Sequence, residues 1–339
     1  MKRLTKLRLS PAYSGFLLMM ISLFAYIILR GPAAFFNINN LASLFKNYTP
    51  IILVTMAQAF LMFMGYIDIS IGAQLSFANV LAVNLPTMLG VPVWLGWLLA
   101  LVLTMLLASL NGLIISYLRI PALLESFAMI FVIRGINLAV QPKPGGHVDP
   151  AINRAYDRLL FGFLPTSVVI LAVALLVWML LKRTTLVNHL FAIGANERNA
   201  YASGINTIRT KVLTYAIAGL FTGVAGLCYT AAYATGNPIT GEIYGLQSIS
   251  ACIIGGVPMA GGFGTVFSAL FGISFQIFVK DSVVQVFKML PGVYTTYWHN
   301  LFTDFIILVG LVAAIFFVRR QDKHRLAEVS AMLEKRGND

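Results

Sequence analysis

Residues 98–115 read LLALVLTMLLASLNGLII, an apolar run that is interrupted only by Thr104, Ser109, Asn111 and Gly112. At about 1.5 Å per residue, a helix of this length crosses most of the hydrocarbon core of a bilayer. A membrane-spanning strand would alternate apolar and polar side chains, and this run does not. The run therefore predicts a membrane-spanning helix.

The rest of the chain has the same character. Of its 339 residues, 59% are hydrophobic and 11% are charged, and the mean hydropathy is +0.84. A soluble domain carries about 25% charged residues. We therefore predict an all-α integral membrane protein, a single transmembrane domain over residues 1–339 with a core at 45–318. The predicted spans, about ten, are 14–30, 49–64, 71–89, 92–117, 121–140, 165–181, 212–234, 246–259, 263–279 and 301–318.

The net charge of +12 is explained by membrane topology rather than by a nucleic-acid partner. With a cytoplasmic N-terminus and ten spans, 16 of the 24 Lys and Arg residues fall in cytoplasmic segments, and seven fall in outer segments. Basic residues bias loops to the cytoplasmic side. We expect a multi-pass protein of the bacterial inner membrane with both termini cytoplasmic, including a tail at 319–339. The basic start and the apolar stretch at 16–29 could form a signal peptide, but an uncleaved first span keeps the better charge balance.

Nothing in the sequence indicates catalysis by this chain. It lacks the G-x-x-x-x-G-K-[ST] motif of a P-loop and the H-E-x-x-H motif of a zinc protease. Cys228 and Cys252 lie in apolar segments, where small buried packing residues are the expected role. We expect no catalytic residue, no metal and no cofactor in this chain.

Two glycine-rich windows echo each other across the two halves of the chain. Residues 64–72 read MGYIDISIG and residues 254–262 read IGGVPMAGG, 190 positions further on. Matching breaks in apolar segments are typical of transporters built from two related halves with broken helices. The alternative is that both windows are tight turns or close-packing sites. The candidate gating glycines are Gly65, Gly72, Gly255, Gly256, Gly261 and Gly262.

These windows and four further motifs resemble the ribose-type sugar ABC permease family, the inner-membrane component of binding-protein-dependent transport systems. Residues 65–72 are similar to the family's G-G-I-D-L-S-V-G signature, with Tyr66 in place of the second glycine. The other matching motifs, in the family's order, are Asn111-Gly112 with 119–122, Arg134-Gly135, 192–206, 253–264 and Tyr297-Trp298. Departures from the family pattern occur at Glu125-Ser126-Phe127, at Gly245-Leu246-Gln247 and at Asp304.

The resemblance implies a permease domain that imports a sugar or sugar-like solute. It also implies three protein partners: a second copy or a sister permease, a cytoplasmic ABC ATPase that uses the ATP, and a periplasmic solute-binding protein. The lipid bilayer surrounds the permease. These partners are implied by the family and not by hydropathy.

Several polar residues in apolar segments are candidates for the solute pathway. Asp68 either faces the pathway or caps the following helix, and both roles are compatible. Glu125 and Arg134 share a predicted helix but lie half a turn apart, so each needs a partner elsewhere. Arg134 either binds hydroxyls or forms a packing ion pair. Amides suit sugar hydroxyls and equally suit hydrogen bonds between helices. The pathway candidates are Asp68, Asn79, Asn111, Arg134 and Asn137.

The longest predicted cytoplasmic segment, residues 182–211, is the candidate for coupling to an ATPase. Asn196 suits the start of a short helix and Gly204 suits its end, and a surface helix of this kind could seat in a groove of the ATPase. A solvated loop is the alternative. The candidate coupling residues are Asn196, Glu197, Arg198, Ser203 and Gly204.

Two other functions stay open on the sequence alone. An ion-coupled secondary transporter would need a coupling carboxylate, and Asp68, Glu125 or Asp304 could serve. An ABC permease for another small solute, such as an amino acid, would share this architecture.

Overall fold

The computed structural model describes residues 12–289, 298 and 300–312, and these are almost entirely helical. The helices are α1 Ala12–Arg30, α2 Pro32–Phe35, α3 Ile38–Phe63, α4 Ile71–Leu89, α5 Val93–Leu118, α6 Ala122–Val140, α7 Pro150–Asp157, α8 Thr166–Leu181, α9 Thr185–Ala195, α10 Glu197–Ala202, α11 Thr207–Tyr233, α12 Glu242–Ile254, α13 Val266–Met289 and α14 Asn300–Val312. A small antiparallel hairpin, β1 Leu159–Leu160 and β2 Leu164–Pro165, precedes α8.

Helix α3 is the centre of the molecule. Its second half, residues 53–63, is fully buried, and α11, α12, α13 and α8 all pack against it. Helices α4, α5 and α11 form one side of the bundle, and α6 adds to α4. Helix α1 lies along α13 on the other side. Among the five long apolar helices, α1, α5 and α6 are the more apolar and the less buried, whereas α11 and α13 are less apolar and more buried. A soluble protein shows the opposite trend.

Five helices are long and apolar enough to cross a membrane, namely α1, α5, α6, α11 and α13. Helices α8 and α9 meet at an angle of 76° and would make a sixth if they count as one broken span. The all-α membrane class is therefore confirmed, and the count of ten spans stays a prediction. A helix is present at every predicted span, but those at α3, α4, α12 and α14 are more polar or shorter than the five.

Three expected boundaries are wrong. The predicted span 49–64 belongs to a longer helix that begins at Ile38, where Asn37 caps α3 by accepting a hydrogen bond from the backbone N–H of Asn39 at 2.9 Å. The predicted span 246–259 ends at Ile254, where the glycine window begins. The predicted span 263–279 ends too early, since α13 continues to Met289. The tail 319–339 lies outside the described residues.

Candidate functional site

The first glycine window is a seven-residue break between α3 and α4. Gly65 adopts a φ of +78°, which L-residues rarely adopt, and the chain reverses there. Residues 66–70 then run back along α3, so that Asp68 lies beside Gln58. With its amide oriented to pair both atoms, Gln58 donates to the Asp68 carbonyl at 2.9 Å and accepts from its N–H at 3.3 Å. The break therefore keeps its backbone paired inside the bundle.

Asp68 is buried and fully bonded at the start of α4. Its Oδ1 accepts from the backbone N–H of Ser70 at 2.7 Å and from the Ser70 hydroxyl at 2.6 Å. Its Oδ2 accepts from Gln74 at 3.3 Å. The side chain is 1% exposed. The N-cap of α4 is Ser70, so Asp68 holds the capping residue rather than capping the helix itself. A role of Asp68 in the solute pathway stays a prediction.

The second glycine window contacts the first one. After α12 ends, residues 255–265 form an irregular loop in which the N–H of Gly262 donates to the Phe63 carbonyl at 3.0 Å. Gly261 lies against the backbone of Met64 and Gly65, at distances that leave no room for a side chain. Gly194 of α9 packs on the backbone of Phe63, Gly261 and Gly262. We name Gly65, Gly194, Gly261 and Gly262 the glycine junction.

The remaining candidate glycines allow close helix crossings. Gly72, in the first turn of α4, touches the backbone of Gly241 and Gly245 at the start of α12. Gly255 packs on the Ser268 carbonyl of α13 and on Gly15 of α1. Gly256 has a φ of +91° and turns the chain out of α12. The six candidates thus divide between turns and packing contacts, which together are the alternative to gating that the sequence left open, and a gating role stays a prediction.

Asn79 and Asn137 hold an extended segment, residues 234–241, against α4 and α6. Asn79 donates to the hydroxyl of Thr230 at 2.8 Å and to the Thr235 carbonyl at 2.9 Å, and it accepts from the N–H of Asn237 at 2.7 Å. Asn137 donates to the carbonyls of Ala73 and Pro238, at 3.3 and 3.1 Å. These bonds match the structural alternative for the two amides, hydrogen bonding between parts of the protein rather than to a sugar.

The same segment is hydrogen-bonded to residues 141–149, the loop between α6 and α7, which the predicted topology places on the outer side. Gly145 and Gly236 exchange two backbone hydrogen bonds, at 2.9 and 2.8 Å. The side chain of Gln141 donates to both of their carbonyls at 2.9 Å. We name Gln141, Gly145 and Gly236 the outer clamp.

Arg134 forms a bidentate ion pair with Glu242, the first residue of α12. The Arg134 side chain is 39% exposed and the Glu242 side chain 22%. The other outward residues of α6 are apolar. Arg134 therefore has its partner on another helix, as the sequence indicated. The sequence did not single out Glu242, although an acidic residue just after Gly241 is a helix-start signal.

Asn111 and Glu125 lie in a second buried layer near Asp68. Asn111 donates to the Ser70 hydroxyl at 3.1 Å. The Glu125 carboxyl is 5% exposed and interacts electrostatically with Asp68. Tyr215, which the sequence did not single out, packs its ring on Gly112 beside them. These residues join the first window to α5, α6 and α11.

The candidate coupling segment consists of α9, the short helix α10 and the turn after it. Asn196 caps α10 by accepting from the N–H of Asn199 at 3.0 Å, and Gly204 ends it with a φ of +85°. The hydroxyl of Ser203 donates to the Asn199 carbonyl at 2.9 Å. Arg198 and Tyr201 are exposed, so α10 presents a free polar and aromatic face.

Glu197 connects α10 to the first glycine window. Its Oε1 lies 2.6 Å from the Lys211 ammonium, and its Oε2 accepts from the Tyr66 hydroxyl at 3.1 Å. Lys211 also lies 5.1 Å from the centre of the Tyr66 ring. Burial, and then the Glu197 carboxylate, raise the pKa of Tyr66, so its hydroxyl stays a hydrogen-bond donor. Tyr66 replaces the second glycine of the family signature, and its hydroxyl makes the contact between the first window and α10.

Buried polar side chains, backbone breaks paired inside a helical bundle and an exposed short helix on one of those breaks define a polytopic membrane permease. The family model described as "Branched-chain amino acid transport system / permease component" matches residues 40–314, and the chain belongs to this family. No solved structure matches it.

Curated relatives cover most of the chain. The galactose/methyl galactoside import permease of Salmonella typhimurium is 27% identical over 88% of this chain and 92% of its own length. The ribose import permease of Haemophilus influenzae is 25% identical over 82% of this chain and 86% of its own length. The ribose import permease of Bacillus subtilis is 31% identical over 65% of this chain and 69% of its own length. These relatives are transport permeases, not enzymes, and they confirm the resemblance to ribose-type sugar permeases.

Proposed function

We propose that this chain is the membrane-spanning permease subunit of an ATP-driven ABC importer that carries a sugar or sugar-like solute into the cytoplasm. One observation carries the proposal beyond family membership. The exposed helix α10 is bonded through Glu197 to the break between α3 and α4, and α9 packs on the glycine junction. A push on α10 from a separate ATPase would therefore reach both glycine windows directly. The chain needs no cofactor of its own in this scheme.

The proposed arrangement has ten spans in two related halves, both termini in the cytoplasm and the protein in a bacterial inner membrane. The loop at 255–265, α9 and α10 then lie on the cytoplasmic side, and the break at 64–70 runs from that side into the bundle, where Gly72 meets Gly241. The outer clamp and α7 lie on the opposite side, where a periplasmic solute-binding protein would dock. Helix α12 supports the arrangement, because the segment before it carries Gly236 of the outer clamp and the loop after it carries Gly261 and Gly262 of the glycine junction.

A second permease, identical or homologous, would cover the outward face of α6. Charged side chains within a membrane face protein or a water-filled cavity rather than lipid. The ion pair between Arg134 and Glu242 is partly exposed on this face, among exposed Leu124 and Phe131. The solute passage would therefore run between the two permeases, with Arg134 and Glu242 at its wall and Asn137 behind them.

Reconstituted uptake tests the proposal. The permease is placed in proteoliposomes with the ATPase and the binding protein encoded nearest to it, and uptake of labelled galactose, ribose and leucine is measured. We expect uptake of one sugar that needs all three proteins and hydrolysable ATP. Uptake by the permease alone on an ion gradient would support the secondary transporter instead, and uptake of leucine would support an amino-acid importer.

Cross-linking tests the coupling step separately. Tyr201→Cys on α10 should form a disulfide with a cysteine in the ATPase groove, and this bond should stop uptake. Phe161→Cys, which is 89% exposed in the hairpin at the opposite end of the bundle, is the matched control and should not cross-link.

A further inference from the structure

Glu125 is a buried carboxylate without a partner. It lies in the first turn of α6 and is 5% exposed, so that it points into the protein. Neither of its carboxylate oxygens has a hydrogen-bond partner among the described residues. An unsatisfied buried polar group is costly, and more so when it is charged. Such a group inside a native protein calls for an explanation, and an ion or a water bound beside it is one of them.

Two further unpartnered oxygen atoms belong to residues of the same layer. Asn111 uses its amide nitrogen on the Ser70 hydroxyl, and its Oδ1 has no partner within the described part of the chain. The hydroxyl of Tyr215 is likewise unpartnered and fully buried. The Tyr215 ring packs on Gly112, the neighbour of Asn111, and Glu125 and Asp68 both act electrostatically on Tyr215, so these residues belong to one buried region.

Asp68 does not need the missing partner, but Glu125 does. The Asp68 carboxylate accepts hydrogen bonds from Ser70 and Gln74 and sits at the start of α4, where the helix dipole favours a negative charge. Lys211, a buried cation of α11, is bonded to Glu197. Around Glu125 there are three unpartnered acceptor oxygens and only one hydroxyl donor, from Tyr215. The layer has a surplus of acceptors.

We propose that Glu125, Asn111 and Tyr215 form a binding site for a monovalent cation, with Na⁺ as the probe. All three supply oxygen atoms, the ligand type of hard cations. One uncompensated carboxylate balances one positive charge. Ca²⁺ sites usually combine several carboxylates, whereas Glu125 brings the one buried unpartnered carboxylate among the described residues, so the charge of the cluster suits a monovalent ion. The site is independent of which solute the permease carries.

Thermal unfolding of the purified full-length permease tests the site. The unfolding midpoint is measured at neutral pH in increasing NaCl, against choline chloride at the same ionic strength. A ligand that binds only the folded state raises stability with the logarithm of its concentration. We expect the midpoint to rise in NaCl more than in choline. An equal rise in both salts, or none in either, would overturn the proposal.

Variants assign the effect to the cluster. Glu125→Gln should abolish the Na⁺-specific rise without lowering the midpoint in choline, because the uncompensated charge is gone. Tyr215→Phe keeps the ring on Gly112 and should raise the half-saturating Na⁺ concentration about tenfold, the loss expected for one bond to a charged group. Asp304→Asn removes an exposed carboxylate from α14 and should leave the Na⁺ response unchanged.

A proton on Glu125 is the competing explanation, and the same measurements identify it. Stabilisation by acid but not by Na⁺, lost in Glu125→Gln, would overturn the cation site in favour of a protonated carboxyl. If Glu125→Gln does not fold, Tyr215→Phe and Asn111→Ala carry the test. An unchanged Na⁺ response in both of them would then overturn the proposal.

Discussion

The two glycine windows have the same spacing but are held in different ways. The first window is held by side-chain hydrogen bonds. Asp68 accepts from Ser70 and Gln74, and the Gln58 amide bonds the backbone of Asp68. The second, at 255–265, is held by backbone contacts to Phe63 and to the glycine junction. Its tip is exposed, with Met259 at 52%.

This difference indicates which window is fixed and which can move. A segment with many buried polar bonds opens only with a large part of the fold, whereas a segment with few buried contacts opens locally at low cost. We therefore expect the first window to act as a fixed support and the second to shift against it during transport. The following predictions test this division, from the largest expected effect to the smallest.

Replacing Asp68 with Ala should cause the largest loss of stability. The change leaves the Ser70 hydroxyl and N–H and the Gln74 amide without their acceptor inside the bundle, at a cost of about 3 kcal/mol in the free energy of unfolding. Asp68→Asn keeps one acceptor oxygen and should cost about 1 kcal/mol. Unfolding in detergent, followed by circular dichroism, measures both. Equal, small losses in the two variants would show that the first window is not held by this carboxylate.

Gly261→Ala should cost about 2 kcal/mol, because a φ of +77° and the nearby Met64 and Gly65 backbone both disfavour a Cβ. Gly204→Ala is the matched control. Its φ is +85°, but nothing lies within 4 Å of the added atom, so only the conformational cost of about 1 kcal/mol remains. The difference between the two unfolding free energies measures the close approach of the two windows. No difference would mean that the windows separate easily even at rest.

Glu197→Gln should cost about 1 kcal/mol, since the ion pair it breaks is half exposed at Glu197 but buried at Lys211. Its effect on uptake should be larger than its effect on stability, because it loosens α10 from the first window. Arg198→Gln, on the exposed side of the same helix, should change stability little and serves as the control. If both variants reduced uptake equally, the contact with Tyr66 would not transmit motion.

Cysteine labelling should distinguish the windows with the smallest disturbance. Met259→Cys lies at the exposed tip of the second window and should react with a polar maleimide added from the cytoplasmic side, with a change in stability within about 0.5 kcal/mol. Met64→Cys in the first window, where the native side chain is 4% exposed, should remain unlabelled in the folded protein. Labelling at Met64→Cys in the resting state would reverse the assignment of the fixed and moving windows.

The sequence predicted the helices well and their contacts poorly. Long apolar runs locate α1, α5, α6 and α11 closely, because a helix in lipid must satisfy its backbone internally whatever surrounds it. The glycine windows located two breaks. It could not be foreseen that the breaks would touch, since Gly194, Gly65 and Gly261 lie far apart in the chain and glycine leaves no side chain to signal a contact.

For the polar residues too, local contacts were predictable from the sequence and long-range contacts were not. The capping of α10 by Asn196 depends on neighbouring residues and was predictable. The pairing of Arg134 with Glu242 spans 108 positions and has no local signal. The solute pathway and the ATPase contact stay predictions at the level of single residues, because both depend on molecules outside this chain.

Helix α12 lies between the outer clamp and the second glycine window. It is a rigid helix of 13 residues, about 20 Å long. The segment leading into it is hydrogen-bonded to Gly145, and the loop that follows it carries Gly261 and Gly262 of the glycine junction. In the proposed importer, a force applied to residues 141–146 by a binding protein would therefore shift α12 along its axis and displace the loop at 255–265. One short helix would then link solute delivery to the state of the ATPase.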